Sequence, residues 1–449
     1  MSKDSTRDDK SNRFAKYYFL VSATVIGLGA SYLYGALSYR LDLFPTPLVR
    51  SVFRETRNLI APGYNILEMR SRHATPIDTP HPDRLAPGLL LIVAAVADER
   101  DASVRVIDRD GNTIHEWMPR WQEVWGDRDE VFPEERRPRG SNGMNIHGIE
   151  MLPDASFVAN FEHLSTFRMD ICGKVSWALD NLGHHSVSYS PQGHVWVGAE
   201  RYIAEGDTGY PNHSAPLNSY KIEKISLDGE ILEQIEIIDV LRQNGLDGLL
   251  YLSNLHNVQT TVEGDTLHAN DVEEFPQGWQ SATFVPGDLM VSLRNINAVM
   301  VFDPDTLKIK FLSIGQLLRQ HDPDFLPGDR ISVFDNRNLS PSQGSSPAAS
   351  RIVELNTRDG TSKVVLEGEG DGRFFTAIMG VHQRLANGNI LVTASGEGRV
   401  IEFAADGTMV WRFSNRIADE TNGRVYTAIA LPEHMDAEFF RKRHATCQD

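Results

Sequence analysis

A strand, turn and strand pattern that returns six times constrains this chain more than any other feature of its 449 residues. Each unit joins an apolar run to a second, alternating run that ends in an Asp-Gly, Asp-Pro or similar turn. The first unit is residues 89–97 with 104–117, and the second is 157–161 with 166–177, turning at Cys172-Gly173. The third joins 195–199 to 220–230, and the fourth joins 289–293 to 298–306. Residues 331–335 with 351–360 make the fifth unit, and 389–394 with 399–411 the sixth. About 65 residues per unit exceeds the roughly 40 to 50 of compact propeller repeats and leaves room for insertions. An all-β, six-bladed β-propeller explains both the repeat and its shared turn position, and a sandwich requires neither.

Helical patterns are scarce within this region. Residues 235–250 and 437–444 read as short helices that decorate the fold. Residues 119–145 and the Ser- and Pro-rich 338–350 read as loops. Ahead of the repeats, residues 17–37 carry no charge, which is long enough for a transmembrane helix. A cleaved signal sequence and a buried helix are the alternatives. Lys3, Arg7, Lys10, Arg13 and Lys16 precede the span, and Arg40, Arg50, Arg54 and Arg57 follow it. That balance leans toward an N-terminus inside, hence a membrane-anchored chain with its propeller outside the cytoplasm, in a bacterial periplasm. The expected organisation is a polar tail at 1–16, a signal anchor at 17–37, a lead-in at 38–86, the propeller at 87–435 and a tail at 436–449.

The hydrophobic fraction of 41% supports a real core. A net charge of -17 argues against nucleic-acid binding, because nothing would neutralise the phosphate backbone. An anionic substrate is repelled at long range as well, so a site for one must reverse the potential locally with Arg and His. The two cysteines, Cys172 and Cys447, lie far apart in sequence, and the expectation from them is neither a disulfide framework nor a Cys-based zinc site.

The opening strand of a propeller blade lines the central channel, so a polar residue repeated there faces one cavity. His147 opens the second unit, His184-His185 the third, His268 the fourth, His321 the fifth and His382 the sixth. Of the adjacent pair, alternation lets one point inward. His185 is preferred, since it stands six residues before Pro191 as His147 does before Pro153 and His321 before Pro327. A channel histidine can also simply cap a strand or line a wet pore, and no carboxylate-histidine spacing here is diagnostic of calcium or zinc. Asn270, two residues beyond His268, projects to the same face if the segment is extended, and Arg294 closes an apolar strand where a guanidinium is costly without an anion.

The combination of His268-x-Asn270, the strand end Val291-Ser-Leu-Arg294, and Gln320-His321-Asp-Pro followed by Phe334-Asp-Asn336 resembles the bacterial arylsulfate sulfotransferases, six-bladed propellers of the cell envelope. The similarity extends over the repeats, from about residue 87 to 431. The resemblance implies that His321 is the nucleophile that becomes transiently sulfated. It also implies that His268, Asn270 and Arg294 surround the sulfuryl group, with His185, or else His147, contributed by an earlier blade. His147, His382 and Asn336 are the expected substrate-side residues. The family's disulfide beside the active site has no expected counterpart, and residues 273–286 read as an insertion.

The implied reaction is a ping-pong transfer from an aryl sulfate to a phenol through a sulfohistidine. Its demands match those of phosphoryl transfer: positioning, and charge neutralisation over three equatorial oxygens. No cofactor and no nucleotide sulfate donor are expected, since no phosphate-binding loop is found. Two other readings stand beside it: a non-catalytic envelope propeller that binds or scaffolds, and a metal-dependent propeller hydrolase.

Overall fold

The computed structural model describes residues 5–41, 68–71, 73–96, 102–126, 128–132, 145–252, 262–338 and 349–448. Much of the lead-in, the arginines 50, 54 and 57, residues 127 and 133–144 of the 119–145 loop, and residues 339–348 of the 338–350 loop lie outside the described residues. Contacts divide the chain into 1–66 and 67–449, which are described separately.

In the first unit, a helix runs over Ser5–Leu41, uninterrupted by proline. Its Phe14–Ser38 portion, 25 residues with mean hydropathy 1.5, is long and apolar enough to cross a membrane, a test that signal sequences also pass. The expected polar tail is therefore helical from Ser5 onward.

In the second unit, six antiparallel sheets of four strands each form the blades of a β-propeller, two of them carrying an extra edge strand. Blade 2 is Ile146–Met151, Phe157–Phe161, Ser165–Met169 and Val175–Leu179, and blades 3 to 6 repeat that up-and-down order. Blade 1 closes the ring, because its inner strand, Val425–Ala430, comes from the far end of the chain and pairs with Leu90–Ala95. The lead-in also joins the fold: Ile77–Asp78 adds a fifth strand to blade 6, and Glu68–Arg70 pairs with Thr421–Gly423. Of the two expected helices, one is Ala437–Ala445, while 235–250 splits into Ile237–Gln243 and a 3-10 turn at Asp247–Tyr251.

Strand alternation builds the core. In Leu90–Ala95 every residue is buried, and alternate side chains serve different neighbours. Leu91 and Val93 pack toward blade 2 with Phe157 and Phe167, whereas Leu90 and Ile92 pack toward blade 6 with Val400 and Trp411. Six apolar clusters arise in this way, one between each pair of adjacent blades. Burial on both faces explains why these strands read as nearly continuous apolar runs.

The cysteines correct the sequence expectation. Cys172, in the outer turn of blade 2, forms a disulfide with Cys447, just beyond the C-terminal helix. Asp436 caps that helix by accepting from Phe439 N, and Phe440 buries against the cluster shared by blades 1 and 2. Ring closure brings the C-terminus to blade 2, so a separation of 275 residues in sequence becomes 5.4 Å between Cα atoms. Linear distance carried no information about that proximity.

Candidate functional site

The inner strands surround a cavity of about 330 Å³ on the propeller axis. Its two ends differ in chemistry. His147, His185, Asn270 and His321 line one end, where the inner strands begin, and Glu150, Asp271, Glu273, Asp322, Asp324 and His382 line the stretch beyond.

Local backbone irregularities place these side chains. Register shifts fall at Ile146/Ile149, Ala269/Asp271 and His321/Asp324, and a bulge turns consecutive residues toward one face. That is why Asn270 and Asp271, or His321 and Asp322, both reach the cavity. His185, His268 and Asp322 adopt left-handed backbone, with φ of 55°, 51° and 51°. Gly148 is required by close approach: a Cβ there would lie 1.6 Å from the carbonyl oxygen of His185. Blade 2 thus rests directly on the segment that presents His185.

His321 has a defined tautomer. Its Nδ1 faces two acceptors, Asn336 Oδ1 at 2.7 Å and Arg319 O at 3.2 Å, so the proton sits on Nδ1. Asn336 is oriented in turn, since its Nδ2 donates to Thr376 O (3.0 Å) and Met379 O (2.6 Å). Nε2 is left with its lone pair, which accepts from Met379 N at 3.2 Å. Burial holds the imidazole well below the usual histidine pKa; the hydrogen bond to Asn336 opposes this and the charge of Arg294 adds to it. Asn336, expected on the substrate side, is fully buried behind His321 and orients it.

A chain of side chains runs behind the other wall. Asp265 hydrogen-bonds His268 Nδ1, His268 Nε2 meets His185 Nε2 at 3.3 Å, and His185 Nδ1 meets His184 Nδ1 at 2.8 Å. Tyr220 OH donates to Asp265 at 2.8 Å. Burial would raise the Asp265 carboxyl, but His268, Tyr220 and Arg294 outweigh it and hold the pKa at about 2. Burial pushes His184 and His185 well down, and the neighbouring imidazoles reinforce the shift. His147 Nδ1 lies 3.0 Å from Glu162 Oε1, and its ring centroid lies 4.1 Å from that of His185.

Of the residues predicted from sequence, His147, His185, Asn270, His321 and His382 line the cavity. His185 faces it, as preferred, while His184 is buried behind; neither lies in a strand, so both join the cluster. His268 sits behind His185. Arg294 opens a short 3-10 turn off the cavity wall, with Asp265 as its nearest countercharge by effect.

Sequence reading missed Glu162, Asp265 and Tyr220, which support the histidines, and Arg424. Arg424 precedes the inner strand of blade 1, at the phase where blades 2 to 5 carry histidine, and it is buried with Nη1 3.7 Å from Met379 Sδ. It also missed the carboxylates, although a signal existed: Glu150, Ser188, Asp271, Asp324 and Thr427 each stand three residues after the opening polar residue, and all line the cavity. Burial lifts the Glu150 carboxyl to about 8. It lifts Glu273 to about 8 as well, and pushes Asp271 and Asp324 well up with help from neighbouring carboxylates. Two groups have metal-ligand spacing, with ligand atoms within 4.8 Å of one another: His147, Glu162 and His185, and Asp322, Asp324 and His382.

A family model described as arylsulfotransferase (ASST) matches residues 149–416. That span holds the four strands of blades 3 to 6 and most of blade 2, with every cavity-lining residue named above except His147 and Thr427. No curated protein matches the chain. Among solved structures, a protein of unknown function from Bacteroides caccae is 13% identical with a TM-score of 0.46, covering 76% of this chain and 98% of that one. TolB from Acinetobacter baumannii is 12% identical with a TM-score of 0.42, over 76% and 66% of the two chains. Virginiamycin B lyase from Staphylococcus aureus is 12% identical with a TM-score of 0.32, over 60% and 69%.

Proposed function

The chain belongs to the arylsulfotransferase (ASST) family, and from that premise we propose that it moves a sulfuryl group from an aryl sulfate to a phenol through a sulfated His321. The observation that carries this reading is the fixed tautomer of His321. With the Nδ1 proton engaged by Asn336 and Arg319, and with burial favouring the neutral ring, the nucleophilic lone pair is on Nε2, where the substrate sulfur replaces the hydrogen bond from Met379 N. In the first half-reaction Nε2 attacks sulfur, the N–S bond forms as the S–O bond to the aryl group breaks, and the phenolate departs. In the second a phenol oxygen attacks the same sulfur, and the histidine leaves as neutral imidazole once the phenol proton is taken up. That proton enters the His185–His268–Asp265 chain when the phenol takes the place of His268 or His184 on a His185 ring nitrogen, since both nitrogens are engaged in this structure. Asn270 and His147 line the wall beside His185, and Arg424 and Arg294 supply positive charge from behind.

Purified protein incubated with a chromogenic aryl sulfate and a phenol should release the chromophore and sulfate the phenol. Rapid quenching without acceptor should leave an acid-labile sulfate on the peptide that contains His321. Unchanged release in His321→Ala, or a label on another residue, would sink the proposal.

We also place the propeller outside the cytoplasm. The apolar N-terminal helix supports this, as does the Cys172–Cys447 disulfide, because such bonds persist in oxidising compartments. Protease added to intact spheroplasts should digest the propeller, and full protection would refute the orientation.

A further inference from the structure

Where blades 2 to 5 open on an imidazole, blade 1 opens on a guanidinium, and that guanidinium is poorly partnered. Arg424 is only 6% exposed. Its Nη1 has the thioether sulfur of Met379 at 3.7 Å, and its buried Nε has no hydrogen-bond partner among the described residues. Glu162, the carboxylate whose charge reaches it, is already engaged by His147 at 3.0 Å and by Asn145 at 3.2 Å. A buried guanidinium short of acceptors destabilises the empty site, and an anion is the ligand that relieves it.

Met379 ties this guanidinium to the nucleophile. It stands at the opening position of blade 6 and lines the cavity, which Arg424 itself does not reach. Its backbone N–H donates to His321 Nε2 at 3.2 Å, while its sulfur touches Arg424. Its carbonyl accepts from Asn336 Nδ2 at 2.6 Å, so the residue that orients His321 also holds Met379. When the substrate sulfur takes the Nε2 lone pair, the Met379 N–H loses its acceptor and faces the group that displaced it. A thioether is a weak acceptor on a flexible side chain, so a sulfuryl oxygen readily replaces it on Arg424.

We propose that Arg424 and the Met379 N–H bind the sulfuryl oxygens at His321, the Met379 thioether moving aside; the role rests on His321 as the sulfuryl acceptor. The same N–H is then satisfied in both states, by Nε2 in the empty enzyme and by oxygen in the sulfated one. Charge spreads over three equatorial oxygens during transfer, and a guanidinium in a cavity poor in water stabilises it there. Arg294, the guanidinium that the sequence resemblance put around the sulfuryl group, opens a turn off the wall and reaches His321 by charge alone. Contact with the oxygens falls to Arg424.

The test separates anion binding from turnover. The full chain is titrated calorimetrically with sodium sulfate, and initial rates with a chromogenic aryl sulfate are measured beside it. Arg424→Met should bind sulfate roughly tenfold to a hundredfold more weakly, the worth of a hydrogen bond to a charged group. It should lower kcat/KM for the aryl sulfate by about a hundredfold or more. Arg424→Lys keeps the charge without the planar fork and should recover part of both losses. Melting temperature is a readout that a merely structural arginine would move the other way: Arg424→Met should melt at or above the parent, because it removes a buried charge without a partner. A melting temperature well below the parent's would make Arg424 a packing residue and overturn the proposal. So would absence of saturable sulfate binding by the parent, or equal affinity in Arg424→Met. Sulfate binding that depends on Arg424, in a parent without turnover, would keep the anion site and sink the sulfotransferase reading. Turnover undiminished in Arg424→Met would do the reverse.

Discussion

The two ends of the axial cavity are made by the same six strands and yet are chemically opposite. At the end where the strands begin, each imidazole is tied to a partner behind it, His321 to Asn336, His268 to Asp265 and His147 to Glu162, and burial disfavours the charged form of His321 and His268. Three residues further along, carboxylates are held toward their neutral form by burial and by each other: Asp324 has Asp322, Glu273 and Asp271 around it, with His382 Nε2 3.5 Å away. The difference lies in support. The histidine end is an oriented machine whose tautomers are set from outside the cavity, whereas the carboxylate end is a cluster of acids that burial and mutual repulsion push toward protonation.

The largest effect should fall on the histidine end. His321→Ala should lower aryl sulfate turnover by on the order of a thousandfold, the scale on which loss of a covalent nucleophile acts. Glu150→Gln should change turnover far less, and equal losses in both would erase the functional distinction between the two ends.

Gly148→Ala comes next. The added Cβ would strike the His185 carbonyl, so the variant should lose about 3 kcal/mol of stability by chemical denaturation, in the range of overpacked cores. A neutral result would show that blade 2 does not hold the His185 segment in place.

Asn336→Ala removes the nearer of two acceptors for the buried His321 N–H, leaving Arg319 O, and should cost about 1 kcal/mol, the net worth of one buried hydrogen bond. The orienting role adds a second readout: a ring held by Arg319 O alone is less firmly aimed, so kcat should fall while KM for the aryl sulfate changes little. A pure KM effect would instead place Asn336 on the substrate.

The smallest effect is in pH. His185 has a folded pKa below its unfolded value, so the unfolded chain takes up the proton first and stability is lost as pH falls below about 6.5. Glu150 is shifted the other way, to about 8, so its contribution is present below the unfolded carboxylate value and is lost as pH rises toward 8. Relative to the parent chain, Glu150→Gln should therefore gain about 1 kcal/mol between pH 5 and 8, discounted for water in the channel. His185→Gln should gain in the opposite direction, on acidification. Parallel pH profiles for the two variants would contradict the assignment of opposite ends.

Local sequence carried much of the fold. Alternation within runs such as 90–95 specified strands buried on both faces, and the start of four inner strands was visible as a recurring histidine at 147, 185, 268 and 321; His382, expected at the same phase, instead matches Asp324 in register and stands with the carboxylates, Met379 taking the opening position of blade 6. Arg424 escaped because its strand follows all the others in sequence and belongs to the first blade in space. The carboxylates escaped because bulges at Ala269/Asp271 and His321/Asp324 break simple alternation, so adjacent residues share one face. Arg294, read from sequence as the end of an apolar strand, opens a 3-10 turn there, and its charge still reaches His321.

By itself, then, the sequence determined the number of blades, the all-β class, the apolar N-terminal helix and the histidine identity of the inner positions, because each is written in short-range periodicity and composition. Tertiary structure decided which of those side chains meet. Pairing of Val425–Ala430 with Leu90–Ala95 closes the ring, sets the acids and imidazoles on one axis, and brings Cys447 to Cys172. Those meetings are contacts between residues hundreds of positions apart, and closure of the ring is the physical event that creates them.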